Sequence, residues 1–384
     1  MIEMRTAHTT EIDDIDDALE ELLGQLNTAG LKKNSVGILC TGYDFIETGV
    51  TAALCERLPF KVIGMTVMAG ASGDAFGVYR LDLAVLTSDD VLFETAVTPP
   101  LTGDNYEAEI AAAYNEARGK LPGDPAFIIS FFPFIGALSG ADILKSFDKT
   151  AGGVPIWGSV SSDMDMSYVH CRTVWSGGAD KSVLAMTLVH GPVTPEFVVT
   201  AIPERNMRDS SAIVTESEGC TIKKVNGMRF DKYLESVDLV MRVGKESTTI
   251  PLVINYGDGS KPVTVAIYAM SEDGSAVCGG EVPQGSVLII GQIDGDGILE
   301  TAGESVSQLL NTGKKNGLLM FPCVSRYIML SPRQDEEMKL AVESFGGKLP
   351  YLMGYSGGEI CPVLGKDGRY YNRYHNYTFS ACIF

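Results

Sequence analysis

Histidine and tryptophan are scarce in this sequence of 384 residues, which has four histidines and two tryptophans. A metal site needs several converging ligands, and no two of the histidines stand at the spacing that would place them on one helix face. The eight cysteines include no Cys-x-x-Cys pair and are too dilute for a disulfide scaffold. These absences argue against a structural zinc site and predict that most of the thiols stay reduced.

Basic residues are also few, with 30 Lys and Arg against 49 Asp and Glu and a formal net charge of −19. Binding to DNA or RNA needs clustered positive charge, and anionic membranes attract it, so neither partner is expected. No apolar run reaches the ~18 residues that a bilayer crossing requires. The first eight residues lack the basic-then-apolar order of a secretory signal. We therefore expect a cytoplasmic protein without membrane insertion.

The length of the chain exceeds what one hydrophobic core commonly supports, and apolar residues make up 45% of it. Hydrophobic periodicity predicts helices over 11–29, 44–58, 105–120, 141–150, 231–237, 297–311 and 333–344, with short strands between them. After Gly152 strands follow one another with few helical segments, which favours antiparallel pairing. We predict an α+β fold of two mixed α/β domains, residues 1–210 and 211–384, with largely antiparallel sheets flanked by helices and packed together.

An internal repeat is indicated by the order of the predicted elements. Each half offers a strand, a long helix, a buried strand and a glycine-rich segment, as the stretches from Ala126 and from Leu318 illustrate. This order suggests a distant duplication.

The stretch from Cys323 to the end brings a thiol, a guanidinium and a carboxylate onto glycine-rich loops. It contains Cys323-Val-Ser-Arg326, then Gly354-Tyr-Ser-Gly-Gly-Glu359, and finally Asn376-Tyr-Thr378. Because backbone N–H groups of such loops can approach a small ligand closely, a pocket is predicted here. The three elements, in this order, resemble the C-terminal half of the FIST family, sensory input modules of bacterial signal transduction.

The resemblance continues upstream over most of the chain. Residues 225–234 and 250–253 look like the start of the family's C-terminal domain, and the glycine-rich segments 64–70 and 152–163 look like elements of its N-terminal domain. The resemblance implies a small-molecule sensor that binds an amino acid or a similar polar metabolite. It also implies a signalling partner, such as a histidine kinase or another output module, to which the signal passes by protein contact.

Arg326 and Glu359 are the central candidates for ligand binding. We expect Arg326 to hold an anionic group of the ligand and Glu359 to receive a cationic or hydroxyl group, with Cys323 and Tyr355 in the wall. Gly358 gives the backbone before Glu359 the freedom to present its carboxylate at a cleft. As an alternative, Arg326 and Glu359 form a buried ion pair that organises the pocket, and Cys323 packs as a small hydrophobe.

Three polar residues complete the candidate site. Asn376 either hydrogen-bonds a polar ligand or satisfies backbone groups that otherwise lack hydrogen-bond partners. Ser161 and Asp163 lie in a hydroxyl-rich turn after Trp157, where they either cap the backbone locally or bind ligand.

Two rival functions stay open at this point. One is an enzyme with Cys323 as nucleophile, since a nearby cation such as Arg326 makes a thiolate more available. The other, which the resemblance implies for a subset of the family, is a haem-linked nitric oxide sensor. For it, His170, beside Cys171 and after Met164 and Met166, is the candidate axial ligand. The leading interpretation has no resident cofactor or metal and no catalysis.

Overall fold

Four β-sheets organise the chain in the computed structural model, which describes residues 1–135, 138–165, 167–244 and 247–384. Three sheets have six strands each and form a body, and the fourth has seven and forms a barrel. The predicted α+β class, with mostly antiparallel sheets flanked by helices, is confirmed. Within the described ranges, no helix combines the length and the apolar character needed to cross a bilayer.

The body is built from three successive units of the chain. The first unit contains β1 (Glu3–Thr9), α1 (Ile15–Leu26), β2 (Asn34–Thr41), α2 (Asp44–Glu47), α3 (Val50–Arg57), β3 (Lys61–Thr66), β4 (Gly70–Ser72), β5 (Ala75–Gly77) and β6 (Leu81–Ser88). The second contains β7 (Leu92–Val97), α4 (Tyr106–Gly119), β8 (Phe127–Phe132), α5 (Gly140–Ala151), β9 (Ile156–Val160), β10 (Thr173–Trp175), β11 (Gly178–Asp180) and β12 (Ala185–His190).

The third unit is interrupted by the barrel. It starts with β13 (Glu196–Thr200), after which the barrel contributes β14 (Met207–Glu218), β15 (Thr221–Val225), β16 (Met228–Arg229), α6 (Phe230–Ser236), β17 (Ser247–Asn255), β18 (Val263–Met270), β19 (Ala276–Cys278) and β20 (Val287–Gly291). The unit resumes with α7 (Gly295–Asn311), β21 (Leu318–Pro322), α8 (Val324–Met329), α9 (Glu336–Phe345), β22 (Tyr351–Gly354), β23 (Glu359–Leu364), β24 (Tyr370–His375) and β25 (Phe379–Ile383).

The three sheets of the body share one strand plan. Their orders are β1-β6-β2-β3-β10-β11, β7-β12-β8-β9-β23-β24 and β13-β25-β21-β22-β4-β5. In each sheet one unit supplies four strands, of which only the last two are parallel to each other: β2 with β3, β8 with β9, and β21 with β22. A hairpin from a different unit then adds antiparallel to the last of them.

The exchanged hairpins close a ring of three units, because each unit gives its hairpin to a neighbour's sheet. The stretches from Ala126 and Leu318, in which the sequence suggested a repeat, lead into the equivalent strands β8 and β21. The repeat is therefore present, and the first unit supplies a third copy of it, with β2 as the equivalent strand.

A central core lies where the inner faces of the three sheets meet. It includes Cys40, Met65, Trp157, Phe321 and Leu352, all fully buried. The Trp157 ring stacks on Phe321 with the centroids 4.6 Å apart. Helices cover the outer faces, with α1 and α3 on the first sheet, α4 and α5 on the second, and α7 and α9 on the third. Strands covered on both sides carry mainly apolar residues, which explains the apolar runs of β2 and β8 in the sequence.

The barrel is closed because β14 pairs with both β20 and β15. Its interior is apolar, with Val214, Phe230, Val265 and Leu288 among the fully buried residues. Met207 and Gly291 are register partners, so the chain enters and leaves the barrel side by side. A small apolar cluster, formed by Ile202, Val253, Ala266, Ile293, Ile298, Leu330 and Tyr377, packs the barrel onto the third unit.

One predicted helix is divided in the structure. The helix expected over 44–58 appears as α2 and α3, because Gly49 between them adopts a left-handed conformation with φ of 88°. A residue with φ in this region does not continue a right-handed helix.

Candidate functional site

A cavity of about 430 Å³ lies between the barrel and the second unit of the body. Its walls are the segment between β8 and α5, the end of β9, the β14–β15 turn, and parts of β18, β19 and β24. The lining residues are Pro133, Phe134, Ile135, Leu138, Ser139, Gly140, Asp142, Val160, Glu218, Gly219, Cys220, Thr221, Tyr268, Val277, Cys278 and Tyr374. The barrel insertion therefore creates a hollow that the body alone would not enclose.

Two tyrosines line this cavity, Tyr268 from the barrel and Tyr374 from the body. The hydroxyl of Tyr268 accepts a hydrogen bond from Asn376 Nδ2 at 3.3 Å, and Asn376 Oδ1 accepts from the Ala266 N–H at 3.0 Å. Burial raises the pKa of the Tyr374 phenol well above the usual range, and the neighbouring Tyr268, Glu359 and Cys323 raise it further. The Tyr374 hydroxyl therefore stays protonated and can donate a hydrogen bond.

Glycines hold Tyr374 in place. A Cβ atom at Gly140 or at Gly358 would collide with the tyrosine ring or its hydroxyl. The Gly358 carbonyl also accepts from Ser159 Oγ at 2.6 Å and from the Val160 N–H at 2.9 Å. Gly358 thus makes room for Tyr374 and joins β23 to β9.

Glu359 is fully buried at the start of β23. Its Oε2 accepts from Thr378 Oγ1 at 2.7 Å and from the Thr378 N–H at 3.3 Å, whereas Oε1 has no hydrogen-bond partner among the described residues. Burial raises the pKa of this carboxyl to about 8, although Thr378, the Cys323 thiol and the charge of Arg326 act in the opposite direction. At neutral pH the side chain is therefore mainly protonated.

Cys323 lies beside Glu359 and precedes α8. It is 2% exposed, and burial, followed by the charge of Glu359, raises the pKa of its thiol well above the usual range. A thiol in this state holds its proton at physiological pH and is a poor nucleophile.

Arg326 is fully buried and forms an ion pair with Glu337 rather than with Glu359. Its Nε and Nη2 donate to Glu337 Oε1 at 3.0 and 2.5 Å. The backbone carbonyls of Ala201, Ile298 and Tyr377 accept further bonds from the guanidinium at 3.2, 2.9 and 3.3 Å. The suggested Arg326–Glu359 pair is thus not formed, because α9 brings a second carboxylate directly against the guanidinium.

Tyr355 belongs to the same network, since its hydroxyl donates to Glu337 Oε2 at 2.7 Å. We call Arg326, Glu337 and Tyr355 the Arg326 network. The guanidinium of this network donates to the carbonyl of Tyr377, the residue before Thr378. Thr378 in turn donates to Glu359. The network therefore positions the carboxyl group without touching the cavity.

Ser161 and Asp163 lie in the segment after β9, apart from both the residues behind the cavity and the Arg326 network. Ser161 is fully buried and Asp163 is 3% exposed, and Asp163 Oδ2 accepts from the His170 N–H at 3.2 Å. The His170 ring packs against Tyr43 with the centroids 4.6 Å apart, and its neighbours include the carboxylates of Asp163 and Asp165. A tyrosine ring packed against the imidazole and two carboxylates do not fit the apolar cleft that a haem macrocycle needs. Met166 lies outside the described residues.

The eight residues named from the sequence thus separate into three groups. Cys323, Gly358, Glu359 and Asn376 gather behind the cavity, Arg326 and Tyr355 form the Arg326 network, and Ser161 and Asp163 stand near His170. Sequence reasoning missed Tyr374, Tyr268 and Glu337. Tyr374 stands two positions before Asn376 in the same strand-like tail, a signal that was available, whereas nothing local shows which residues of the barrel face the body.

Two family models match the sequence, the FIST N domain over residues 35–228 and the FIST C domain over residues 230–362. Together they span most of the chain. The chain belongs to the FIST family. FIST domains are sensory domains of signal transduction, which assigns this protein a sensor role in general terms. The C-domain match includes Cys323, Arg326 and Glu359, and the N-domain match includes Ser161 and Asp163.

Comparison with solved structures gives only weak likenesses. A cyanuric acid hydrolase described as an evolutionary innovation by structural concatenation has a TM-score of 0.29 and 10% identity, covering 76% of this chain and 100% of its own. The cyanuric acid hydrolase from A. caulinodans has a TM-score of 0.25 and 7% identity, covering 50% of this chain and 72% of its own. No curated protein matches the sequence.

Proposed function

We propose that this FIST protein senses a small polar metabolite, such as an amino acid or a related amine, which binds in the cavity between the barrel and the second unit. The observation that carries the proposal is the cavity itself. Its volume of about 430 Å³ falls within the ~300–1,000 Å³ typical of small-molecule sites. Mainly apolar walls with a few polar groups are also typical of such sites.

The charge of the cavity favours a ligand with an amino or hydroxyl group. Asp142 and Glu218 line it, and no Lys, Arg or His occurs among the described lining residues. Phosphates and dicarboxylates would meet carboxylates here and no basic side chain in the described lining. In this proposal Arg326 supports the site from behind, since its donors are engaged within the Arg326 network.

Tyr374 provides a route from the cavity to the interior. It lines the cavity, and it lies close enough to Glu359 for the carboxylate to affect the pKa of its phenol. A ligand that moves Tyr374 would change the surroundings of a buried group whose pKa is near neutrality. We propose that the resulting rearrangement is passed by protein contact to a signalling partner, such as a histidine kinase or another output module.

A thermal-shift screen of amino acids, polyamines, dicarboxylates and nucleotides tests the ligand proposal, because a ligand that binds only the folded chain raises its melting temperature. We expect amino acids or amines to raise it and Tyr268→Ala to remove the response. Tyr370→Ala is the matched control, since the two side chains have similar exposures of 39% and 37% but Tyr370 packs on Phe197, away from the cavity. A response that survives in Tyr268→Ala places the ligand elsewhere and contradicts the proposal.

Cys220 gives a second readout of occupancy. Of the eight cysteines, all of which the structure describes, seven are buried and Cys220 is partly exposed in the cavity wall. Burial raises the pKa of its thiol to about 11, so a maleimide at pH 8 should label it slowly but ahead of the others. A ligand that binds as proposed should protect Cys220. Labelling unaffected by a ligand that shifts the melting temperature would again exclude this cavity.

The same labelling experiment tests a nucleophilic role for Cys323. We expect this thiol to stay unmodified in the native protein up to pH 9, because it is buried and its pKa is raised. Mass spectrometry after tryptic digestion measures the modification at each cysteine. Rapid modification of Cys323 at pH 7 would support an enzyme that uses it.

A further inference from the structure

We propose that the segment after β9 holds a second site, in which Asp163, Asp165 and His170 bind a divalent transition-metal ion such as Mn²⁺ or Zn²⁺. Each side chain offers one ligand atom, and these atoms lie within 4.8 Å of one another. A small closing movement would bring all three to the ~2.0–2.2 Å at which zinc is bound by imidazole nitrogen and carboxylate oxygen.

An unpartnered buried oxygen points to the ion independently. The Asp163 side chain is 3% exposed, and its Oδ2 accepts from Ser167 Oγ and from the His170 N–H, both at 3.2 Å. Its Oδ1 is buried and has no hydrogen-bond partner among the described residues. Leaving a buried carboxylate oxygen unpaired is costly, and a bound cation would offset that cost.

The donor set selects the class of ion. Imidazole favours first-row transition metals, and carboxylates favour Mn²⁺ among them, whereas Ca²⁺ prefers six to eight oxygen ligands. The Ser167 N–H donates to Asp165 Oδ1 at 3.0 Å, which orients this carboxylate. Three protein ligands, of which Asp165 is exposed, leave positions for water or for an exchangeable ligand.

A cation of the same segment, Arg172, is held by other groups. The Arg172 guanidinium lies over the Tyr43 ring, 4.9 Å from its centroid, and donates to the carbonyls of Val169 and Cys171 at 2.9 and 2.8 Å. Both bonds come from Nη1, and among the described residues Arg172 forms no ion pair with Asp163 or Asp165.

The metal site also adjoins the ligand cavity. Tyr168, between the proposed ligands in sequence, stacks on Phe134 with the centroids 4.1 Å apart, and Phe134 lines the cavity. Metal binding would therefore restrain one wall of the cavity. Only this effect on the cavity wall rests on the proposed function. The metal-binding experiment therefore contains no organic ligand.

Titration of the EDTA-treated, full-length protein with Mn²⁺, with free ion measured by electron paramagnetic resonance, tests the site. We expect one saturable ion per chain, competition by Zn²⁺, and little competition by Ca²⁺ at equal concentration. Asp163→Asn, Asp165→Asn and His170→Gln should each lower the Mn²⁺ affinity at least ~10-fold, by analogy with losses on changing metal-site residues.

Asp367→Asn is the matched control. Asp367 Oδ1 accepts from the Arg369 N–H at 3.1 Å, just as Asp165 Oδ1 accepts from the Ser167 N–H at 3.0 Å, but Asp367 is not part of the metal-ligand cluster. This variant should bind Mn²⁺ as the unmodified protein does.

Circular dichroism would detect a loss of fold in Asp163→Asn. In that case the variants at the more exposed Asp165 and His170 decide whether the site binds metal. Unchanged Mn²⁺ binding in both of these, or no saturable binding in the unmodified protein, overturns the proposal, since the ion would then be held diffusely by the acidic surface.

Discussion

At the scale of single residues, the chain buries charged side chains that the sequence suggested for ligand binding. Arg326 and Glu359 are both fully buried, yet each has a different partner. Arg326 is neutralised by Glu337, whereas Glu359 meets hydroxyl, thiol and amide groups and stays mainly protonated. This difference separates the two residues, since Arg326 is held as an ion and Glu359 mainly as the neutral acid.

Glu359→Gln should change how stability depends on pH. The folded-state pKa of about 8 lies above the ordinary value of 4.5, so the carboxyl's contribution is fully present below pH 4.5 and is lost as the pH rises through 8. Glutamine resembles the protonated form and has no such loss. We expect the variant to gain on the unmodified protein between pH 5 and 8, by up to about 1.4 kcal/mol for each pH unit.

Urea denaturation at a series of pH values measures this gain, with Glu304→Gln on the exposed side of α7 as the control. A constant difference between Glu359→Gln and the unmodified protein across the range would show that Glu359 has an ordinary pKa.

Arg326→Met should strongly destabilise the protein, by roughly 3–5 kcal/mol, because it leaves the Glu337 carboxylate buried without its cation. Adding Glu337→Gln should recover much of the loss, since the amide can still accept from Tyr355 and no charge is left unpaired. Guanidinium denaturation of both variants measures the coupling. Additive losses in the double variant would mean that the ion pair does not hold this region together.

At the scale of elements, short segments place the side chains that matter. A glycine at the start of α5 and another next to the start of β23 pack against Tyr374. This part of the cavity wall therefore requires that both positions have no side chain. Ser139 caps α5, accepting from the Asp142 N–H at 3.0 Å, and thereby fixes where the first of these glycines lies. The positions at which α5 and β23 begin therefore determine the geometry of this part of the cavity wall.

Gly140→Ala should displace Tyr374 and cost about 1–3 kcal/mol through overcrowding. Gly24→Ala in α1 is the matched helical control, because nothing lies within 4 Å of the added methyl group, and it should be neutral or stabilising by up to ~1 kcal/mol. Thermal melts measure both, and tyrosine fluorescence reports the displaced ring. Equal effects of the two substitutions would show that Tyr374 is not held by the glycine.

At the scale of the whole molecule, the exchanged hairpins make the three units depend on one another. The hairpin β4–β5 belongs to the first unit but pairs with β22 of the third, and β23–β24 of the third pairs with β9 of the second. The predicted domain boundary near residue 210 lies a few residues after the start of the barrel and stays a prediction. The family models meet between residues 228 and 230, inside the barrel.

Ala71→Asp should therefore destabilise all three units together. Ala71 is fully buried in β4, opposite Met353 of β22, and an aspartate there would be unpaired in an apolar core. Hydrogen exchange followed by mass spectrometry should show β2, β8 and β21 losing protection in parallel. Faster exchange confined to the third sheet would mean that the units unfold separately.

Much of the local structure was predictable from the sequence, because it depends on periodicity and on capping and breaking residues close in the chain. Strands such as β2, β8 and β21 appear as apolar runs, and α1, α4, α5 and α7 appear as helical patterns. The short hairpin strands β4, β5, β10 and β11 were missed, since three residues are too few for a period to show. Their pairing partners lie in another unit, so nothing near them in the sequence predicts where they bind.

The sequence by itself determined the class of the fold and the family, because short-range pattern and motif order suffice for these. Only the tertiary structure decided that Arg326 pairs with Glu337, that Tyr268 of the barrel faces Tyr374 of the body, and that three units share their hairpins. These outcomes depend on which distant segments are brought together and on how much water is excluded between them. Both are properties of the packed molecule rather than of any stretch of the chain.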